Sequence, residues 1–516
     1  MSATRVSFSV NTSNLLRRIV CYYGSWAAYR RGLGEFETKD IDPTLCTHII
    51  YTFIGISQDR RIVCYYGSWA AYRRGLGEFE TKDIDPTLCT HIIYTFIGIS
   101  QDGSVSILDT WLDLPNGRDG FEKFTSLREL SPETKLMIAI GGWNEGSQTF
   151  SEVAANPDVR AQFVQNVIAF LKEYNFDGFD VDWEYPNQRG GQPADKENFV
   201  ILLKELREEF NKYGYVLSAA VGAAEMSASQ SYLISEMSQY PHFINLMAYD
   251  FHGSWENVAE INAPLYASST EFGEEAELNV NSAVKYWLGQ GAPANKLVVG
   301  IPAYGRSFTL SNPSYNTVGS PTIGPGLPGP YTQEGGMLGY NEICEYVKQG
   351  WTVRRDLEQG VPYAFKGNQW VGYDDTISVE EKTKYAMSMG LGGIMMWSID
   401  TDDFRGTCGE KYPLLNAINR VLRGYNPPST TTKQPNTGVT TAAPSTTTSS
   451  SITTPSSPHE VCTHEGYVRD PKDCSIFYYC QKMNGEYLAT KFYCPDNLVF
   501  DLMIDNCNYK YNVPDC

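Results

Sequence analysis

Residues 177–186 read Asp-Gly-Phe-Asp-Val-Asp-Trp-Glu-Tyr-Pro. Asp180, Asp182 and Glu184 alternate with Phe179, Val181 and Trp183. Side chains of a β-strand point to opposite faces with a period of two. A strand over Gly178–Glu184 therefore gathers three carboxyl groups on one face and apolar groups on the other. Crowded carboxyls resist ionisation. A site that needs a carboxylic acid still protonated near neutral pH gains from that resistance. A solvated strand face would show the same alternation, but the neighbours are bulky and the flanks apolar. A metal site would also gather carboxylates, but no His or Cys lies nearby.

Working outward, seven further apolar stretches read as strands: Ile62–Tyr66, His91–Ile97, Lys135–Gly141, Val216–Val221, Phe243–Tyr249, Leu297–Ala303 and Gly392–Ser398. Helical patterns such as Asp158–Tyr174 and Lys196–Lys212 lie between them. Strand–helix alternation over this length predicts an α/β chain folded as a parallel (β/α)8 TIM barrel. One complication precedes it. Arg17–Asp59 is repeated without change as Arg60–Asp102. Counting both copies gives ten strands, which this barrel does not accept. The second copy is contiguous with the third strand and is expected to take the barrel positions. The first becomes part of an extra N-terminal segment, 1–59. Replacing the second copy by the first would loop out the intervening chain, which ranks lower. Diverged solenoid repeats need three or more units, so a functional repeat is not the favoured explanation.

The barrel region is expected over 60–425. Residues 426–459 are dominated by Ser, Thr and Pro and read as an extended, O-glycosylated spacer. The tail, 460–516, carries Cys462, Cys474, Cys480, Cys494, Cys507 and Cys516. Six cysteines in so short a module indicate a disulfide scaffold in an oxidising compartment. No C-x2-C pair occurs there, against zinc. Tyr478, Tyr479, Tyr487, Phe492, Tyr493, Phe500 and Tyr509 exceed what so small a core needs, so some are expected on an exposed face.

The net charge of −19 argues against nucleic acid and anionic membrane as partners. No apolar run of membrane-spanning length occurs. The 34 Tyr and 10 Trp suit stacking on sugar rings, although most belong to the core. The first residues, MSATRVSFSVNTSNLLRR, make a poor secretory signal. A secreted, extracellular location is therefore argued from the cysteines and the linker.

With Asp177–Pro186 in view, 60–425 resembles glycoside hydrolase family 18, the chitinases, in their secreted arthropod form. The DGxDxDWEYP signature is highly specific. Five other segments match in order: Gly141-Gly142-Trp143, Met247-Ala-Tyr249-Asp250, Gly300-Ile-Pro-Ala-Tyr304-Gly305-Arg306, Trp370-Val-Gly-Tyr373-Asp374-Asp375 and Gly392-Gly-Ile-Met-Met-Trp397-Ser. The tail resembles the peritrophin-type chitin-binding domain, a small disulfide-rich β module. The resemblance implies disulfides Cys64–Cys89, Cys344–Cys408, Cys462–Cys480, Cys474–Cys516 and Cys494–Cys507. Cys21 and Cys46 are the duplicate pair. It also implies an inserted α+β subdomain at about 307–375, raising one wall of a cleft.

The implied activity is retaining, endo-acting hydrolysis of β-1,4-linked N-acetylglucosamine, with the substrate's own acetamido oxygen as nucleophile. Glu184 would be acid and then base, and Asp182 would orient the acetamido group. Asp180 would share a proton from below, and Tyr249 would donate to the acetamido oxygen. Asp250 and Arg306 would contact sugar, and Trp397 would floor the cleaved sugar's subsite. Tyr65, Trp69 and Trp143 would line outer subsites. Met247 is the weakest contact candidate and reads more as core, as Phe96 does. Chitin and its oligosaccharides would be the partners, the protein a monomer, and neither metal nor organic cofactor is implied. A non-catalytic chitin-binding lectin or a structural matrix protein is the competing reading. Such lectins lack the acid, whereas Glu184 is present. One departure stands out: the family's third strand usually carries Ser where this chain has Ala139. Asp180 is therefore expected to lose a hydrogen-bond partner, at a cost of about 1–3 kcal/mol.

Overall fold

A computed structural model describes residues 20–24, 48–52, 60–424, 466–483, 486–494, 498–501, 506–510, 513 and 516. Eight parallel strands close into a barrel: β1 Arg61–Gly67, β2 His91–Ile99, β3 Lys135–Gly141, β4 Gly178–Asp182, β5 Val216–Gly222, β6 Phe243–Met247, β7 Leu297–Pro302 and β8 Gly393–Trp397. Each pairs with its neighbours in sequence order, and β8 pairs with β1 to complete the ring. The (β/α)8 class expected from the strand–helix alternation is the one observed.

Period two does its work on every strand. Phe179 and Val181 of β4 turn outward into the shell of helices, with Phe163, Phe199 and Leu203 in the same outer core. Inward residues form a separate cluster of Val63, Tyr65, Ile93, Met137, Ala139, Ala220, Phe243, Val298 and Met395. The helix over Pro157–Glu173 starts at Asn156, whose side chain accepts from the N–H groups of Asp158 and Val159, with Pro157 in the first helical position. The next, Asp195–Phe210, buries Phe199, Leu202, Leu203 and Leu206 at helical spacing.

Two of the strand ends that differ from the sequence pattern bear on the site. β4 stops at Asp182 and β6 at Met247, so Glu184 and Tyr249 lie just beyond the pairing. At the first of these ends the Trp183 indole N–H donates to Ser147 Oγ at 2.9 Å and its ring stacks on Phe150. The chain is thereby pulled off the ladder, and the following carboxyl is delivered to the mouth of the barrel.

The inserted sheet begins at Tyr304, three residues before the expected boundary. It runs antiparallel in the order Thr322–Pro325, Tyr304–Leu310, Gln369–Gly372, Val361–Lys366 and Thr352–Asp356. Arg306 therefore stands on the first strand of the insertion. The helix Tyr340–Lys348 packs over it, with Ile343, Leu338, Ala364 and Val371 in a common core.

Met1–Arg60 forms its own compact unit. Within it Val20–Gly24 pairs in parallel with His48–Thr52. The register, Val20 opposite His48 through Gly24 opposite Thr52, reproduces that of Val63 opposite His91 through Gly67 opposite Thr95 in the barrel. The barrel is built from the second copy.

In the tail, Gly466–Arg469, Ile476–Met483 and Glu486–Tyr493 form an antiparallel sheet, and Leu498–Asp501 pairs with Asn506–Tyr509. Cys64–Cys89, Cys344–Cys408 and Cys474–Cys516 are bonded, with Cα atoms 6.0–6.2 Å apart. Cys480 and Cys494 are also in disulfides. Cys462, Cys46, the side chains of Cys21 and Cys507, and the linker at 426–459 lie outside the described residues. Tyr478 and Phe500 are buried, so these two belong to the module's core rather than to an exposed face.

Gly141 ends β3 with φ of +111°, and a Cβ there would meet the Asp182 carbonyl oxygen at 2.1 Å. Gly141→Ala should therefore destabilise the barrel by about 3 kcal/mol or more. Thermal unfolding measures this, and an unchanged melting temperature would contradict the close approach of β3 and β4.

Candidate active site

The carboxyl row stands at the carboxyl end of β4, where barrel enzymes carry their chemistry. Asp180 is fully buried, and Asp182 and Glu184 are 2% and 9% exposed. Asp180 Oδ2 accepts from the Tyr65 hydroxyl at 2.7 Å, and Oδ1 accepts from Ser218 Oγ at 2.5 Å and Asn245 Nδ2 at 3.4 Å. Asn245 also donates to the Tyr65 oxygen at 2.9 Å.

This arrangement corrects the expectation about Ala139. Ala139 is in register with Asp180 on one side, and Ser218 is in register with it on the other. The missing hydroxyl of β3 is replaced by one from β5. Tyr65 is corrected as well. It is 1% exposed and holds Asp180 from within the barrel instead of lining an outer subsite.

Burial pushes the Asp180 carboxyl up to about 6, against the opposing pull of Ser218, Tyr65 and Asn245. Asp182 is raised by burial and then by the charges of Glu184 and Asp180. Its Oδ1 is buried without a protein hydrogen-bond partner. Glu184 is pushed to about 7 by burial, with Tyr185 and Arg189 opposing and Asp250 adding to the rise. Such a group keeps a substantial protonated fraction near neutrality, where an ordinary carboxyl keeps almost none, and can donate.

Tyr249 reaches the same mouth, and its hydroxyl makes only a 3.8 Å contact to the Met395 sulfur. That weak acceptor leaves the O–H free to donate elsewhere. Asp250 follows in the left-handed region at φ of +55°, its N–H donating to Asn262 Oδ1 at 2.9 Å. Its carboxylate takes a two-point bond from Arg306 at 2.6 and 2.7 Å and a third bond from the Tyr304 hydroxyl at 2.7 Å. Asp250 and Arg306 are therefore each other's partners. Met247 is half-buried and packs against the inner barrel cluster, as its reading as core anticipated.

A cluster of aromatic rings surrounds Trp397. Trp397 lies 5.3 Å from Tyr65, 5.8 Å from Phe96 and 6.3 Å from Trp69, measured between ring centroids. Trp69 and Trp143 are 43% and 58% exposed. Sequence reasoning missed Arg189 and Trp255. The Arg189 guanidinium sits 3.5 Å over the Trp143 ring and donates to the Glu184 carbonyl at 2.9 Å. Trp255 is largely exposed, with Arg306 5.4 Å over its ring. For Arg189 the signal was its place five residues after Glu184 in a Gly-rich turn. For Trp255 it was a large aromatic five residues after Asp250.

Replacing Arg189 by Ala removes a cation that favours ionised Glu184. The Glu184 carboxyl should then rise further, and the alkaline limb of the kcat–pH profile should move to higher pH. An unmoved limb would show that Arg189 does not act on Glu184.

Comparison with known proteins places the chain in a family. Residues 61–402 match the family described as glycosyl hydrolases family 18, and 462–516 match the chitin binding Peritrophin-A domain. An endochitinase of Manduca sexta is 39% identical over 431 residues, covering 81% of this chain and 70% of the relative. The crystal structure of Ostrinia furnacalis Group IV chitinase with allosamidin is 51% identical at a TM-score of 0.69, covering 70% of this chain and 99% of that one. Human YKL-39, a pseudo-chitinase with retained chitooligosaccharide binding, is 39% identical at a TM-score of 0.66, over 70% of this chain and 99% of its own. The chain belongs to glycosyl hydrolase family 18 and carries a peritrophin-A chitin-binding domain at its carboxyl end.

Proposed function

We propose that the protein is a retaining chitinase that cleaves β-1,4-N-acetylglucosamine linkages within the chain, with the substrate's acetamido oxygen as nucleophile. The observation that carries this reading is the row Asp180–Asp182–Glu184, complete and buried, with Glu184 raised to about 7 at the mouth. Glu184 protonates the glycosidic oxygen, and the acetamido oxygen closes on the anomeric carbon. Asp182 Oδ1, which lacks a protein partner, accepts the acetamido N–H and sets the carbonyl at attacking distance. An intramolecular nucleophile needs positioning more than activation. Tyr249 donates its hydroxyl to the same acetamido oxygen. Glu184, now ionised, takes a proton from water, which opens the cyclic intermediate with net retention.

Trp397 supplies the floor under the sugar being cleaved, and Trp69, Trp143 and Trp255 offer exposed faces for neighbouring rings. Aromatic rings suit this because sugar rings have apolar faces. The tail holds the enzyme on insoluble chitin, and the linker lets the barrel reach nearby chains, raising local concentration without altering the chemistry. The disulfides support an extracellular location. The protein acts as a monomer.

Glu184→Gln should lower kcat on a soluble chitin oligomer by about 10²–10⁴-fold while leaving oligomer binding intact. Wild-type turnover by this variant would remove Glu184 from the role of acid. Deleting 460–516 should reduce hydrolysis of insoluble chitin and leave the soluble oligomer unaffected. Loss on both substrates would break the division of labour.

A further inference from the structure

Just past β6, one peptide group joins Tyr249 to Asp250, the partner of Arg306. Asp250 is in the left-handed region at φ of +55°, which a residue bearing a Cβ keeps only where its surroundings hold it. The hold comes from Asn262. The N–H of that peptide, carried by Asp250, donates to Asn262 Oδ1 at 2.9 Å. A peptide group is planar and stiff, so this one bond places the backbone on both sides of it. The next N–H, of Phe251, donates to the Asn262 carbonyl at 3.1 Å.

Asn262 also reaches the inserted sheet. Its Nδ2 donates to the Tyr304 carbonyl at 3.2 Å, at the start of the first inserted strand. The Tyr304 hydroxyl donates to Asp250 Oδ1 at 2.7 Å, and its ring stands edge-on to that of Tyr249, 6.1 Å between centroids. Asp250, Asn262 and Tyr304 thus close a circuit of three hydrogen bonds beside Tyr249. The circuit calls for an amide at 262, because one end of the side chain faces a donor and the other an acceptor. A carboxylate could not serve the Tyr304 carbonyl, and an apolar side chain could serve neither end.

Asn262 is itself anchored. It is fully buried, and the carbonyl of its neighbour Ala263 accepts from Lys382 Nζ at 2.6 Å. Lys382 lies on the helix Thr376–Ser388 and pairs with Asp374 Oδ2 at 2.6 Å, both side chains out of water. Asp374 Oδ1 accepts from Ser378 Oγ at 2.7 Å. A buried ammonium held by a carboxylate and a carbonyl is costly to pull free. From the inserted sheet, the backbone at Gly372 comes so near that a Cβ there would meet Ile261 Cα at 3.0 Å. Ile261–Ala263 therefore presents Asn262 from a fixed place, and Asp374 of the Trp370–Asp375 segment helps to fix it.

Tyr249 needs such a frame. Among the described residues its hydroxyl meets only the Met395 sulfur, at 3.8 Å, so no strong acceptor aims it. Its direction is set by its backbone and by the rings beside it. We propose that Asn262 is a positioning residue for Tyr249: by tying the Tyr249–Asp250 peptide to the Tyr304 strand, it sets where the Tyr249 hydroxyl meets the acetamido oxygen. The proposal rests on the reading of Tyr249 as donor to that oxygen. A donor of this kind stabilises the transition state only from hydrogen-bond distance, so a small displacement lowers kcat more than it weakens binding.

The test is a double-mutant cycle on the full chain, with kcat and KM measured on a soluble N-acetylglucosamine oligomer. Asn262→Ala should lower kcat by about tenfold and move KM less. In a Tyr249→Phe background, which has no hydroxyl to aim, the same change should lower kcat by less than about twofold. Circular dichroism reports that each variant is folded, and Asn262→Ser replaces Asn262→Ala in the cycle if the alanine variant is not. An unchanged kcat in the single variant would overturn the proposal. So would an equal loss in both backgrounds, which is what a residue that merely supports the fold would give. Wild-type kcat in Tyr249→Phe would overturn the role of Tyr249, and the proposal with it. Absence of any oligomer turnover by the wild type would instead overturn the chitinase reading itself.

Discussion

Three carboxyl groups buried at the end of one barrel strand are the constraint around which the rest of the barrel is arranged. Left alone, Asp180 would be an uncompensated buried acid. Tyr65 from β1, Ser218 from β5 and Asn245 from β6 converge on it from three strands. Closure of the ring brings residues separated by up to 180 positions to one point. The same burial that makes the row expensive keeps protons on it near neutral pH. Stability lost at this place and catalytic competence are the same physical fact seen from two sides.

The walls are made by additions to the barrel and not by the barrel itself. The loop after β6 leaves in a left-handed turn at Asp250, and the inserted sheet starts directly after β7. Arg306, on the first strand of the insertion, ties the two by its two-point bond to Asp250. Across the mouth, Arg189 does comparable work, with one face on Trp143 and one donor on the Glu184 carbonyl. Each arginine thus joins an exposed tryptophan to a carboxylate-bearing segment. Exposed aromatic surfaces are thereby held at fixed places beside the carboxyl row.

The duplicated segment shows how closure selects among equal sequences. The two copies have the same residues and form the same parallel register. Local propensity therefore cannot choose between them. Ring closure accepts eight strands, and the copy joined without a gap to β3 closes the ring at the least cost in loop entropy.

Much of this was legible in the chain. The period-two alternation of Gly178–Glu184 predicts a strand with one acidic face, and the spacing of apolar stretches predicts the barrel. Both depend on short-range regularities that a linear sequence carries directly. The residues absent from that reading are Ser218 as a partner of Asp180, Arg189 on Trp143, and Trp255 beside Arg306. Tyr65 was present but misplaced, since a tyrosine at a strand end looks the same whether it faces sugar or a buried acid. Ala139 looked like a loss because the replacing hydroxyl lies 79 positions away, on a neighbour chosen by strand register. By itself the sequence determined which groups could do chemistry and the fold class that carries them. Tertiary structure decided which groups hold them, because hydrogen bonds and ring contacts are set by distances in space, and closure of the barrel makes those independent of distance along the chain.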